Sequence, residues 1–137
     1  MEKIDFINYR ALSWEIRSLK ERLQAMETSI YGPKGQRFTS TPRASAGNGK
    51  TMEDVVCKHM ELEALYRSKL AEGSDQLLRI EQAIATLTSP AERMVMQRRY
   101  VDGHSWQSIC AEMAPLGYSE RSVYRLHGEA LLKLKEV

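Results

Sequence analysis

The sequence predicts an all-α protein: a long, coiled-coil-like helical hairpin over residues 1–88, then a helix-turn-helix over residues 89–137. Three observations predict it. Apolar residues recur at spacings of three and four through the front half. One stretch rich in Gly, Ser, Thr and Pro, residues 32–50, interrupts that pattern. Three polar helix caps then follow one another in the last third, each helix ended by an explicit chain break or by the terminal stripe.

The first helix is expected from about Ile4 to Ile30. Tyr9, Leu12, Ile16, Leu19, Leu23, Met26 and Ile30 are spaced 3, 4, 3, 4, 3, 4. That is an unbroken heptad seam on a helix roughly 40 Å long. Trp14 lies off the seam. Tyr31-Gly32-Pro33 stops the helix, and a flexible loop follows. Lys34, Arg37, Arg43 and Lys50 make that loop basic, with no acid from 31 to 51. The charge either follows a DNA backbone or keeps the segment solvated. Gly47-x-Gly49-Lys50-Thr51 echoes a phosphate loop, but it lacks the upstream glycine and follows no strand, so it is rejected as one.

A second long helix is expected to begin near Thr51, where Thr51 and Asp54 are spaced as a capping box. Val55, His59, Leu62, Tyr66, Lys69-Leu70, Leu77, Ile80, Ile84 and Leu87 roughly continue a heptad pattern. The phase slips by one residue at Gly73-Ser74, which predicts a kink or a restart. Two seamed helices joined by a loop predict an antiparallel hairpin. A narrow apolar stripe on long helices calls for a partner surface, so association of chains is expected. Leu12, Ile16, Leu19, Leu23, Met26 and Ile30 are the expected oligomerisation residues, with a dimer favoured. A purely intramolecular hairpin is the alternative.

The last third offers Ser89 before Pro90, Ser105 before Trp106 and Ser119 before Glu120 as caps. A cap serine accepts a free backbone N–H, and proline suits the first helical position because its missing N–H has no partner there. Asp102-Gly103 ends the first of these helices. Pro115 and Gly117 end the second. Two short helices and a longer one, joined by tight turns, present the last helix to a DNA groove. With Val123 pointing inward, Leu126, His127, Ala130, Leu134 and Val137 share its side. Arg121, Arg125, Gly128 and Leu132 lie opposite, flanked by Glu120, Ser122 and Tyr124. Arg forks onto guanine, Glu accepts from cytosine, and hydroxyls bond phosphate oxygens. The expected DNA-binding residues are therefore Ser119, Glu120, Arg121, Ser122, Tyr124 and Arg125, with Ser105 and Gln107 from the start of the preceding helix. Trp106 is expected as core packing. Glu92 and Arg99 share a helix side, where either can pair internally. Residues 89–137 carry their own caps and stripe, so they are expected to fold alone, weakly.

These residues resemble a known family. Leu87, Glu92-Arg93, Val95-Met96, Arg99-Tyr100, Asp102-Gly103, Ser105, Ile109, Ser119-Glu120-Arg121-Ser122-Val123 and Ala130-Leu131 follow the pattern of the region 4 domain of sigma-70 factors. The resemblance covers roughly the last 50 residues. The whole chain, with Tyr9-Arg10 and its helical front half, is similar to small phage-encoded regulators of late transcription, the ArpU/RinA-like group. The turn from Ala114 to Tyr118 is longer than the minimal one. The front half has no counterpart of the sigma segment that melts promoters, so a complete sigma factor is not expected. The resemblance implies a regulator of phage late genes, with host RNA polymerase as a further candidate partner.

Charge distribution agrees with a reading head on a less basic scaffold. The net charge is only +2, but residues 52–88 carry −3 and residues 89–137 carry +1. Local arrangement, not the sum, sets affinity for a polyanion. Cys57 and Cys110 are far apart and show no metal-ligand spacing, so reduced thiols are expected and no metal or cofactor. His104, Cys110 and His127 lack an orienting acid at a telling spacing, so no enzyme is expected. No apolar run approaches a membrane span and the first residues do not read as a signal segment, so the cytoplasm, that of a bacterial host for a phage protein, is the expected compartment. The function expected is sequence-specific duplex DNA binding in transcription control. The alternatives are a DNA-recognition subunit of a phage packaging complex, small-terminase-like, and a non-catalytic adaptor that docks RNA polymerase.

Overall fold

A computed structural model describes residues 1–31 and 51–136. Residues 32–50, the basic stretch whose charge is expected either to follow a DNA backbone or to keep the segment solvated, lie outside the described residues. Among those described, every regular element is a helix. They are α1 (Lys3–Tyr31), α2 (Met52–Ala85), α3 (Pro90–Met96), α4 (Trp106–Met113) and α5 (Glu120–Leu134). A π-helical turn, Gln97–Val101, continues α3, and a 3-10 turn, Ala114–Leu116, continues α4. No described helix is long and apolar enough to cross a membrane.

Local chemistry sets the helix ends. Thr51 Oγ1 accepts from Asp54 N at 3.1 Å, and Asp54 Oδ2 accepts from Thr51 N at 3.3 Å, a reciprocal capping box. Ser89, Ser105 and Ser119 cap α3, α4 and α5, accepting from the backbone N–H of Glu92, Ser108 and Ser122 respectively. Gly117 has φ 92°, the left-handed conformation that lets the chain leave the 3-10 turn and enter the cap of α5. The phase slip at Gly73-Ser74 does not restart the helix: α2 runs through it without a break. Its own hydrogen-bond ladder outweighs one change of apolar phase.

The chain divides into two compact units, and the division differs from the one expected at residue 88. One unit is Trp14–Glu72; the other joins Met1–Ser13 to Gly73–Val137. In the first unit Leu19, Leu23 and Ile30 of α1 are buried, and Ile16 and Met26 are half-buried. Glu15 lies 3.7 Å from Lys69, and Glu27 lies 3.4 Å from His59. As the number rises along α1 it falls along α2, so the two run antiparallel. Leu12, in the other unit, is buried too. Of the residues expected to join chains, Leu12, Leu19, Leu23 and Ile30 are buried within one chain and Ile16 and Met26 are half-buried.

The second unit holds two apolar cores. Phe6 and Tyr9 of α1 share a core with Ile80, Ala83 and Ile84 of α2, Leu87 just beyond it, Met96 and Tyr100, and Ala130 and Leu134 of α5. The other core is smaller: Val95, Ile109, Met113, Val123 and Leu126. Helix α3 lies between them, with Val95 in one and Met96 in the other. Helix α5 gives its first two turns to the small core and its last two to the large one. Packing therefore crosses residue 88, and the first turns of α1 belong to the same body as the last third of the chain. The Met1 ammonium donates to Leu134 O at 3.0 Å. Glu92 is 2% exposed and accepts from Lys133 Nζ at 2.7 and 3.0 Å, pinning α3 to α5.

Candidate nucleic-acid interface

Helix α5 is held from beneath by Val123 and Leu126, which fixes the rotation of its outer face. Arg121, Tyr124 and Arg125 are exposed there, with Glu120 and Ser119 at the N-terminal end and Ser122 half-buried. These six come together as expected. The N-terminus of α5 also presents backbone N–H groups and the positive end of its dipole. Two of the hydroxyls are partly committed. Ser119 Oγ accepts from Ser122 N at 3.2 Å and bonds Ser122 Oγ at 2.9 Å. Ser105 Oγ likewise accepts from Ser108 N at 3.2 Å. Capping is the first task of these serines. Gln107 and Ser105 are exposed at the start of α4. Arg125 Nε sits 3.9 Å from Glu129 with both side chains well exposed, a weak pair that solvent competes with.

The arginines divide sharply. Arg98 is tied into the fold, donating to Asp102 at 2.8 Å and to Glu112 at 3.0 Å. Arg93 donates to Leu87 O at 2.6 Å. Arg99 is different. Its guanidinium lies 4.7 Å over the Trp106 ring and donates to His104 O at 3.3 Å. It does not pair with Glu92, which Lys133 occupies.

Trp106 packs against the small core, as expected, and is also the centre of an aromatic group. It is half-buried, 4.9 Å from the Tyr124 ring and edge-on to His127 at 4.7 Å. Behind it the Tyr100 hydroxyl bonds His127 Nε2 at 2.8 Å. Burial, then the charges of Lys3 and Arg99, push His127 down to about 4, so it is neutral near pH 7. The Arg99–Trp106–Tyr124 stack is a feature the sequence spacing does not expose. Its members sit on three different elements and meet only because the π-helical turn carries Arg99 over α4. The Cys110 thiol is pushed up by burial and then by the negative charge of Glu120, opposite to the shift that activates a nucleophile. Among the described residues no three His, Cys, Asp or Glu side chains converge as metal ligands would.

No family model, curated protein or solved structure matches this chain.

Proposed function

We propose that the chain is a sequence-specific duplex DNA-binding regulator of transcription, with α5 as the helix that enters the major groove. One observation carries the reading. Helix α5 rests on α4 and α3 through a dedicated small core and turns outward a face with Glu120, Arg121 and Arg125 at its N-terminal end. Helix N-terminal residues make the base contacts in this arrangement, while the preceding helix and the caps address the backbone. The resemblance to sigma region 4 and to phage late regulators points to promoter DNA and phage late-gene activation as the setting.

Selection of bound sequences from random and phage genomic DNA tests this. Enrichment of a promoter-proximal site supports the regulator. A site in the packaging region favours a packaging subunit, and no enrichment favours an adaptor. On the selected site, Arg121→Ala and Arg125→Ala are each expected to cost about 1–3 kcal/mol with helicity unchanged. A base-edge contact shows as relaxed preference at one position, a phosphate contact as uniform weakening. Parent-like binding by both variants refutes the assignment of this face.

A further inference from the structure

Tyr124 puts an aromatic ring on the outer face of α5, 44% exposed, on the same helix face as Arg121 and Arg125. That ring is held from within the fold. It lies 4.9 Å from the half-buried Trp106 ring, at an interplanar angle of 44°. Trp106 is fixed in turn by three neighbours. The Arg99 guanidinium lies 4.7 Å over its ring, His127 meets it edge-on at 4.7 Å, and the small core packs against it. Arg99 also donates to His104 O at 3.3 Å, which holds the guanidinium in place. One turn further along α5 stands Gly128, exposed, where a Cβ would meet nothing within 4 Å. Residues four apart share a helix face, so no side chain covers the Tyr124 ring from that end. A glycine inside a helix is destabilising, and close approach of a ligand to the backbone is one of its uses.

A ring whose torsions are already fixed loses little freedom on docking. Its exposed surface is mostly apolar. The base edges in the major groove offer hydrogen-bond donors and acceptors, and one apolar group, the C5-methyl of thymine. We infer that the Tyr124 ring, set in place by Trp106, packs against a thymine methyl of the duplex that α5 reads. Trp106 is then a positioning residue, acting on the base through Tyr124. The ring carries the contact, not the hydroxyl, which from sequence alone suggests a bond to phosphate. The inference rests on the DNA-reading function proposed above. It adds a base preference that Arg121 and Arg125 do not supply, since arginine forks onto guanine.

The test uses the full chain and its selected site, with each thymine replaced singly by deoxyuridine, which removes the methyl alone. One such replacement is expected to weaken the parent about fourfold, the worth of one buried methyl-sized group. Tyr124→Phe should keep that loss. Tyr124→Ala and Trp106→Leu should bind the thymine and deoxyuridine duplexes equally, because a cycle that has already removed the contact finds nothing more to remove. Trp106→Phe, which keeps a ring, should retain the discrimination. Each ratio is taken on one protein, so a change in its folded fraction cancels. If no replacement weakens the parent while Arg121→Ala still loses the selected site, the thymine contact is overturned and the reading of α5 stands. If the deoxyuridine loss survives in Tyr124→Ala, another residue makes the contact and the inference is overturned. It is also overturned if Tyr124→Phe weakens the selected site and an unrelated duplex alike, the mark of a phosphate bond. Full discrimination by Trp106→Leu overturns the positioning role. A parent that binds no duplex overturns the reading itself, and the thymine contact with it.

Discussion

Phe6→Ala is expected to destabilise the C-terminal helices strongly, although Phe6 lies far from them in sequence. The side chain is 0% exposed and packs on the Tyr100 ring at a centroid distance of 5.3 Å. Removing a fully buried Phe costs about 3–5 kcal/mol, against a total domain stability of about 5–15 kcal/mol. The vacated space lies in the core that also holds Ile84, Met96 and Leu134, which belong to α2, α3 and α5. Denaturant unfolding followed by far-UV signal should show the midpoint fall with the slope unchanged, and DNA binding should fall with it. For the same reason residues 89–137 alone should not fold, contrary to the expectation drawn from their caps. Cut free, they keep the five buried residues of the small core but expose Met96, Tyr100, Ala130 and Leu134. A folded, cooperative fragment would refute the assignment of Phe6 and Tyr9 as part of its core.

Acid is expected to weaken the same unit through one residue. His127 is held at about 4 in the fold against an ordinary value of 6.5. The unfolded chain therefore binds more protons between those values. Stability from this group is fully present above pH 6.5, falls as the pH drops, and levels off below about 4. The full difference is about 3 kcal/mol. Chemical unfolding from pH 7.5 to 4 measures it. His127→Gln, which can still meet the Tyr100 hydroxyl, should remove most of this slope in the window. An unchanged slope in that variant would place the acid sensitivity elsewhere.

Much of the fold was legible because it is written in short-range rules. Ser89, Ser105 and Ser119 cap where their spacing predicts, and the Pro115–Gly117 break falls where it should. The seam of α1 is buried as its heptads require. What covers the seam was not legible: periodicity says that a stripe must be covered, not whether the cover is the same chain. The shared core was hidden for a related reason. Phe6, Ile84 and Leu134 carry no mutual signal in sequence, since contact between distant segments leaves no spacing to read. The outer face of α5 followed from its own period. The Arg99–Trp106–Tyr124 stack did not, because its members are brought together by the π-helical turn.

The contact between Met1 and Leu134 joins groups 133 residues apart. It sets an order of events in synthesis and refolding. The small core is built from neighbours along the chain and closes early at little entropic cost, while the large one waits for both ends. On a ribosome, the core around Phe6 and Tyr9 stays incomplete until Ala130 and Leu134 of α5 have emerged. Refolding should therefore show an early gain of helix in α3 to α5 and a later step in which Tyr100 becomes shielded. Between the two steps the chain exposes apolar surface, the interval in which chains associate wrongly and in which a chaperone would act.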